Sequence, residues 1–408
     1  MGKLSVGIFS SMFGEVNGVA KAVRKLVIAL ARRGHEVHVF APNNSIRRPE
    51  LNVAFHRCKG FRMGPEYYSP IPLLKYVRAK RYKGLDVCHS MTPITVGSLG
   101  LDVAKVLGVP KVATHHSPLA FYTKQYFPVI GGLVSPVMWK YERLFYNRFH
   151  LVTTPTPSKK ELIQRYSGIR DPILCLTNGI EDYYFKKVDA NEAKERFGVG
   201  DRKMVLYVGR HSREKNLPLV LRAFKRVLQD VDAHLVLAGD GPERQRVERH
   251  ARELGINDRV TFTGFVSSQE LLKLYAAADV TTLFSFVEAE GLVLLEAMAQ
   301  GTPSVGARAS GIKDVIRHGE TGFLVKNVGE LAESLTRVLL DDELRGKLGA
   351  NARNYARHHR MDVVVDAWER IYETLVDFYP MFYHGTATNE QVNEIFRDLA
   401  RTTPGLSF

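Results

Sequence analysis

The stretch from Phe284 to Gly306, FSFVEAEGLVLLEAMAQGTPSVG, constrains the fold of this chain more than any other. A helix, LVLLEAMAQ, is predicted directly after Gly291, and it is apolar on nearly every side, which is typical of a buried helix. Glu296 lies in this helix, so its carboxylate is expected inside the protein, where it costs roughly 2–7 kcal/mol unless it is hydrogen-bonded. A short apolar strand is predicted on each side of the segment.

The start of this helix is suited to an anionic ligand. Gly291 leaves the backbone N–H groups of Leu292 and Val293 uncovered, and such helix ends attract phosphate. Glu288 lies just outside, and its carboxylate needs hydrogen-bond donors, which a hydroxyl-rich ligand supplies. The segment therefore predicts a ligand that carries both phosphate and sugar. The alternative is a surface turn in which Glu288 and Glu296 face solvent.

Length and composition fit two ordinary globular domains. The chain has 408 residues, 45% of them hydrophobic and 25% charged, which is enough for two full cores. Its three cysteines are far apart and lack metal-site spacing, which indicates thiols of a reducing compartment. The N-terminus resembles a first strand rather than a signal peptide, and no apolar run approaches the ~18–20 residues of a membrane span. We therefore expect a cytoplasmic protein, peripheral at most at the inner face of the cell membrane.

Positive charge is concentrated in the first half of the chain. Residues 1–185 contain 26 Lys and Arg against 11 Asp and Glu, whereas the remainder is nearly neutral, and the total is +14. A basic half suggests an anionic partner, either nucleic acid or an anionic membrane surface. The sequence shows no nucleic-acid recognition module, so nucleic acid is not expected as a partner.

Strands alternate with helices in both halves of the chain. The first half opens with the strand LSVGIFS, the helix VAKAVRKLVIALARRG and the strand EVHVFAP; the second opens with MVLYVG, LVLRAFKRVL and HLVLAGDG. This order predicts two doubly wound, Rossmann-like α/β domains, although neither contains GxGxxG. We predict an N-terminal domain over 1–185, a second domain over 186–378 and a helical tail over 379–408, with the polar stretch 181–203 as linker.

Loops at the ends of predicted strands carry the candidate binding residues, because doubly wound sheets place their ligands there. PKVATHHSP contains His115 and His116, and GRHSREKN contains Arg210 and Lys215. The guanidinium fork of arginine suits phosphate oxygens, and lysine adds a point charge. Gly18 can bring backbone close to a phosphate. Solvated side chains and a plain turn glycine are the alternatives.

A DxD triplet, Asp230-Val231-Asp232, is formally a metal-binding signature. It follows a predicted helix and precedes the strand HLVLAG, which places it at the end of the sheet opposite to the ligand-binding loops. We therefore predict a structural role for it and no metal site.

Taken together, these motifs resemble the retaining glycosyltransferases of the GT-B fold, and more narrowly their large fourth sequence family, the glycosyl transferases group 1. The resemblance covers roughly residues 1–378 and rests on motifs in the family's order: NGVAKAVRK, T-x-H, GRHSREKN, GDGPE, TGFV, Glu288-x7-Glu296 and SGIKDVIRHGETGFLV. It implies two Rossmann-like domains facing a cleft, with the nucleotide sugar bound by the second domain and the acceptor by the first. It also implies that the helix VVVDAWERIYETLVDF, the last before residue 378, crosses back to the first domain.

The resemblance also implies how the donor is held. Arg210 and Lys215 would bind and stabilise the leaving diphosphate, Glu288 would orient the sugar hydroxyls, and Glu296 would bind the ribose diol. The donor would be a UDP- or GDP-sugar, and retaining transfer would need neither a metal nor another cofactor.

Three further positions follow from the same resemblance. His116 would reach the donor sugar near the bond that breaks, although a one-residue shift would assign this role to His115. Gly18 would lie against the donor phosphates, and the base would lie against the backbone near Phe265 and Val266.

One position departs from the family's pattern. Glu290 stands where an aromatic or uncharged residue is more usual, and it either alters the choice of donor sugar or is simply exposed. Other activities of the same fold also stay open: a nucleotide-sugar epimerase or hydrolase would act on the donor alone, and a non-catalytic binder would turn over nothing.

Two segments of the basic half suggest a lipid-linked acceptor. Residues 60–83 combine aromatic side chains with a short basic helix, and residues 118–149 are the most aromatic part of the chain, with 121–138 predicted as a loop. Such pairing is typical of interfacial segments. We predict transfer of a hexose to an acceptor hydroxyl at a membrane surface, and a water-soluble sugar acceptor is the alternative. The basic helix comprises Lys75, Arg78, Lys80, Arg81 and Lys83.

Overall fold

A computed structural model of the chain describes residues 2–14, 17–42, 51–58, 60–62, 68–70, 84–93, 95–116, 118–120, 131–384 and 386–408. It divides into two compact units, one of residues 1–179 with 361–408 and one of residues 180–360. The predicted boundaries at 185 and 378 therefore differ from those of the structure. Ile180 donates its N–H to the carbonyl of His359 at 2.8 Å, so the chain enters and leaves the second unit side by side.

The first unit is built on an eight-stranded sheet in the order β16-β9-β8-β7-β6-β1-β2-β3. Its strands are parallel except for β16. Several of them are buried over their whole length, as expected when helices cover both faces of a parallel sheet. The strands are β1 (Ser5–Phe9), β2 (Glu36–Ala41), β3 (Val53–Arg57), β6 (Val87–Ser90), β7 (Lys111–Thr114), β8 (Leu151–Thr154), β9 (Ile173–Leu176) and β16 (Leu406–Ser407); a separate hairpin pairs β4 (Gly60–Arg62) with β5 (Tyr68–Pro70).

Six helices of the first unit are described: α1 (Gly18–Arg32), α2 (Val96–Leu107), α3 (Gly131–Tyr146), α4 (Pro157–Ser167), α13 (Met361–His384) and α14 (Asn389–Thr402). Helix α13 belongs to this unit because Tyr372 and Trp368 pack on His89 of β6; the Tyr372 hydroxyl lies 2.8 Å from His89 Nδ1. Helix α3 corrects the prediction of a loop over 121–138. It contains Pro136, which lacks the backbone N–H of an ordinary helical residue. The proline therefore favoured the prediction of a loop instead of a helix. Residues 121–130 lie outside the described part of the chain.

The tail completes the edge of the first sheet. Thr388 caps α14, with Gln391 as its reciprocal partner in a capping box. Phe396 of α14 is fully buried in the core of the unit, and β16 pairs antiparallel with β9. The Lys160 ammonium lies 4.3 Å from the centre of the Phe408 ring. The tail therefore covers a strand edge that would otherwise present unpaired backbone groups.

The second unit is a six-stranded parallel sheet in the order β12-β11-β10-β13-β14-β15. Its strands are β10 (Lys203–Val208), β11 (Ala233–Ala238), β12 (Val260–Gly264), β13 (Val280–Leu283), β14 (Ser304–Ala307) and β15 (Gly322–Val325). Its helices are α5 (Asn191–Arg196), α6 (Leu217–Val227), α7 (Arg244–Glu253), α8 (Ser268–Ala277), α9 (Leu292–Ala299), α10 (Ile312–Val315), α11 (Val328–Leu340) and α12 (Asp342–Arg357), with short 3₁₀ turns at Asp182–Phe185, Arg213–Lys215 and Asn257–Arg259.

Residues 181–203 are not a linker, contrary to the prediction. They form the 3₁₀ turn at Asp182–Phe185 and helix α5, and Tyr184 is buried in the core of the second unit. Gln300 donates its side-chain N–H to the carbonyls of Tyr184 and Lys186, which ties the segment to the end of α9. The segment is therefore part of the second unit.

Candidate functional site

The candidate site lies where the strand order of the second sheet reverses. The sheet extends from β10 through β11 to β12 on one side and from β13 through β14 to β15 on the other. The strand order therefore reverses between the neighbouring strands β10 and β13. Ligands of doubly wound sheets bind at the carboxyl ends of such strands. The loop after β10 carries Arg210 and Lys215, and the loop after β13 carries Glu288. The topology therefore brings two of the predicted motifs to one place.

Lys215 and Glu288 form an ion pair between these two loops. The Lys215 ammonium donates to Glu288 Oε2, and the side chains are only 15% and 19% exposed. Two further hydrogen bonds join the same loops: Asn216 Nδ2 donates to the Phe284 carbonyl at 3.1 Å, and Ser285 Oγ donates to the Glu214 carbonyl at 2.9 Å. These two hydrogen bonds to backbone carbonyls hold together the two loops that carry the ion pair.

Arg210 lies at the start of the same loop and is largely exposed. The Tyr207 hydroxyl donates to the Arg210 carbonyl at 2.9 Å, which fixes the backbone at this point. Burial raises the pKa of Tyr207, and the carboxylates of Glu288 and Glu214 raise it further, so this phenol stays protonated. The structure therefore places Arg210 and Lys215 on one loop, with Glu288 against Lys215.

The start of α9 has the form that the sequence predicted. Gly291 adopts a left-handed backbone with φ 87°, and no side chain in the described part of the chain caps the helix. Leu292 and Val293 form its first turn. A left-handed residue with a side chain would be strained here, which explains glycine at this position. The helix end is free of a side-chain cap and lies beside Glu288.

Glu296 is buried, as predicted. It is 1% exposed, and the Tyr275 hydroxyl donates to its Oε2 at 2.8 Å. Tyr184 also hydrogen-bonds to it, and burial together with the Glu296 charge raises the pKa of both phenols. The two tyrosines supply the donors that a buried carboxylate needs. The sequence did not predict these two hydrogen-bond donors, and Tyr184 lies in the stretch 181–203 that was predicted to be a linker.

The turn before α10 donates two hydrogen bonds to the backbone carbonyl of Glu288. Ser310 Oγ donates to it at 2.6 Å and the Gly311 N–H donates at 3.1 Å. Ser310 has a positive φ of 49°, and a Cβ on Gly311 would lie 2.3 Å from the Ala289 carbonyl oxygen. The turn therefore fits closely against the loop that presents Glu288.

Glu290, Phe265 and Val266 are the other predicted residues of the second unit. Glu290 is 3% exposed, so the interpretation as a simply exposed residue is wrong. Phe265 and Val266 follow β12, which lies two strands from β10; Phe265 is 79% exposed and Val266 packs partly against the core.

The histidine loop and Gly18 belong to the first unit. His115 and His116 directly follow β7 and are 0% and 6% exposed. Burial, with the neighbouring His115 charge as a second cause, lowers the pKa of His116 to about 3, so its imidazole is neutral at any physiological pH. Gly18 begins α1, where the Asn17 side chain accepts from the Ala20 N–H and caps the helix.

Comparison with known proteins identifies the family. Residues 189–355 match the family model described as Glycosyl transferases group 1, and residues 16–182 match the model described as Glycosyltransferase Family 4. The chain belongs to glycosyltransferase family 4. The resemblance predicted from the motifs is thereby confirmed.

Two relatives of this glycosyltransferase illustrate the range of acceptors. It is 30% identical to alpha-monoglucosyldiacylglycerol synthase of Streptococcus pneumoniae over 83% of this chain and 78% of that protein. It is 28% identical to N-acetyl-alpha-D-glucosaminyl L-malate synthase of Bacillus anthracis over 91% of this chain and 97% of that protein.

The fold agrees with that of solved glycosyltransferase structures. Sucrose-phosphate synthase of Thermosynechococcus elongatus superposes with a TM-score of 0.75 and 24% identity, over 91% of this chain and 99% of that chain. The glycosyltransferase is therefore an α/β protein of the GT-B type, as predicted.

The DxD triplet of this glycosyltransferase lies at the other end of the second sheet, as the sequence predicted. Asp232 directly precedes β11, and Arg259 donates to its carboxylate. The carboxyl end of β11, by contrast, leads into the Gly239–Gly241 loop. Asp232 is thus already engaged by an arginine at the amino end of the sheet.

Proposed function

We propose that this protein transfers a hexose from a nucleoside-diphosphate sugar to an acceptor hydroxyl with retention of configuration. The observation that carries the proposal is the contact between Lys215 and Glu288 beside the uncapped start of α9. A cation and a helix N-terminus favour a diphosphate, and a carboxylate suits the hydroxyls of a sugar. The ligand that satisfies all three is a nucleotide sugar, with UDP- and GDP-sugars as the candidates.

Each residue of the site has a proposed task. Lys215 and Arg210 stabilise the negative charge that develops on the leaving diphosphate, which is electrostatic stabilisation of the transition state. Glu288 orients the sugar hydroxyls, and Glu296 binds the ribose diol. The leaving phosphate accepts the proton of the acceptor hydroxyl, and we assign no protein nucleophile. The reaction needs no cofactor beyond the donor.

The test is a panel of nucleotide sugars, incubated with and without candidate acceptors and analysed by mass spectrometry. We expect one donor to be consumed mainly when an acceptor is present, with the mass of one hexose added to the acceptor. Conversion of the donor alone would instead indicate a hydrolase or an epimerase. Binding of the donor without any turnover would indicate a non-catalytic protein.

Transfer is expected to be independent of divalent metal ions. The reason is positional, since Asp232 lies at the amino end of β11 and is engaged by Arg259, away from the proposed donor site. Activity after treatment with a chelator should equal that of untreated enzyme, measured as initial rate of product formation. Loss of activity with a chelator and its return with Mn²⁺ would contradict this.

We further propose that the acceptor is lipid-linked and that the first unit binds an anionic membrane. The relative that makes a glucosyl-diacylglycerol by name supports this, whereas the malate-dependent relative represents the soluble alternative. Within the described residues, no helix combines the length and hydrophobicity of a membrane span. Most of the basic helix and aromatic loop that first suggested a membrane, at 71–83 and 121–130, lie outside the described residues.

A described surface carries the same chemistry. Helices α3 and α4 expose apolar side chains, with Val137, Leu144 and Tyr166 exposed by 58%, 62% and 55%, and Trp139 stacks on Tyr166 at 5.7 Å. Exposed basic side chains lie on the same two helices, whose acidic residues are the buried Glu142 and the exposed Glu161. We call this surface the basic–aromatic face; its exposed basic residues are Lys140, Arg143 and Arg165.

Binding to vesicles tests this part of the proposal. Each basic residue near an anionic surface contributes about 1 kcal/mol, so neutralising three should weaken binding roughly 100-fold. We expect flotation with anionic but not neutral vesicles, loss of flotation at high salt, and strong reduction in the variant K140Q/R143Q/R165Q. The matched control is R222Q/K225Q/K347Q, which removes the same charge from exposed helical positions of the second unit. Equal flotation of both variants would exclude the face, and no flotation of the wild type would exclude the membrane.

A further inference from the structure

Three neighbouring side chains of the first unit contain buried polar atoms that lie outside the donor site described for the second unit. Both ring nitrogens of His115, Nε2 of His116 and Oε2 of Glu142 have no hydrogen-bond partner within the described residues. His115 and Glu142 are 0% exposed. Buried polar atoms are nearly always satisfied, so a cluster of unsatisfied ones needs a reason.

Glu142 contacts the histidine loop on both sides of His116. Its Oε1 accepts the N–H of Leu119 at 2.6 Å, and its Oε2 lies 3.7 Å from His115 Nε2. The His115 ring in turn packs against Tyr146, one turn further along α3, with ring centres 5.0 Å apart. A single side chain of α3 therefore hydrogen-bonds the loop at position 119 and lies close to it at position 115, with His116 between them.

Packing alone does not call for a carboxylate at this position. The neighbours of Glu142 on the inner face of α3 include Phe145 and Tyr146, which belong to an apolar cluster with Ile163. Burying a carboxylate is costly, and an apolar residue of similar size is often neutral or stabilising in its place. The carboxylate is instead suited to accept hydrogen bonds from the loop.

We propose that Glu142 is a positioning residue that acts through His116. It accepts from the Leu119 N–H at 2.6 Å, and its second oxygen faces Nε2 of His115 across 3.7 Å. Both contacts fix the backbone that carries the neutral His116 imidazole. The proposal rests on the proposed transfer reaction and on the role in it that the family resemblance implies for His116, and its test separates the two.

Two variants separate positioning from packing. Glu142→Leu keeps the volume but removes both acceptors, so we expect the melting temperature to stay close to wild type while kcat falls about 100-fold, as for a misplaced catalytic group. Glu142→Gln keeps an acceptor for Leu119 and should retain activity within a few-fold. Kd values for UDP and GDP should be unchanged in both, because the proposed nucleotide site belongs to the second unit.

Ile163→Ala is the matched control. It removes a fully buried side chain from the same cluster without changing the loop contacts, so it should lower the melting temperature but leave kcat of the folded enzyme near wild type. If Ile163→Ala and Glu142→Leu reduced activity only in proportion to lost stability, Glu142 would be structural and the proposal would be wrong.

A double variant tests the route through His116. If Glu142 acts only by placing His116, then His116→Ala/Glu142→Leu should be no less active than His116→Ala, within about threefold. Multiplied effects would show that Glu142 acts elsewhere and would overturn the positioning role alone. Wild-type activity of His116→Ala would instead overturn the role of His116, and the inference with it.

Discussion

Lys215→Ala is expected to lower kcat/KM about 100-fold, equivalent to roughly 2–3 kcal/mol of lost transition-state stabilisation. The reason is twofold, since the variant removes the cation proposed for the leaving diphosphate and leaves the carboxylate of Glu288 without its partner. Because the developing charge is greatest in the transition state, kcat should fall more than the affinity for the donor. Initial rates at saturating and limiting donor measure both quantities.

The control for this variant is Lys225→Ala, on the exposed side of the following helix α6. It removes the same charge from the same unit but should leave kcat and KM unchanged. A double variant with Glu288→Ala adds a second check, because residues in direct contact should show non-additive effects. Full activity of Lys215→Ala would mean that the loop after β10 is merely solvated and that the site lies elsewhere.

The burial of Glu296 could be predicted from the sequence because its helix is apolar on nearly every side. A helix that is apolar on nearly every side has no solvent-facing side, so a polar residue within it, such as Glu296, is buried as well. Its partners could not be predicted in the same way. Tyr184 lies in a polar stretch without periodicity, and its approach to Glu296 depends on how the 3₁₀ turn at Asp182–Phe185 packs on α9.

The meeting of Lys215 and Glu288 illustrates a second limit. The sequence places both residues in loops after strands, and ligand-binding loops are expected there. Whether the two loops touch depends on the order of strands in the sheet, with β10 beside β13, and no local pattern specifies that order. The family resemblance supplied this information where periodicity could not.

Glu142 was missed for a related reason. A single carboxylate between aromatic residues looks like the solvated side of a helix, and Pro136 with two glycines at the start of α3 favoured a loop. Only the packed structure shows that Glu142 faces inward, whereas Lys140 and Arg143 of the same helix are exposed. The family resemblance predicts that the last helix crosses back to the first domain, but the start of that helix at Met361 is not marked by a break in composition, so the predicted boundary falls at 378.

Gly311→Ala is expected to reduce transfer by about 100-fold or more, although it changes no side chain that touches a substrate. Its backbone is in the ordinary right-handed region with φ −64°, so alanine is tolerated conformationally. The obstacle is contact, because the added Cβ would lie 2.3 Å from the Ala289 oxygen and 2.8 Å from the Glu290 Cα. Both atoms are backbone and cannot rotate away, so the loop between Glu288 and Gly291 must move.

That displacement is what makes the prediction specific. The loop presents the Glu288 carboxylate and the start of α9, so Gly311→Ala should weaken donor binding and kcat together. Overpacking of this kind costs about 1–3 kcal/mol, so the variant should still fold. Gly346→Ala is the matched control, since it lies in helix α12 with nothing within 4 Å of the new Cβ, and it should leave activity unchanged and raise stability by about 0.5–1 kcal/mol. Equal activity of the two variants would show that the loop after β13 tolerates displacement, and the close fit between it and the turn at Ser310 would then have no part in catalysis.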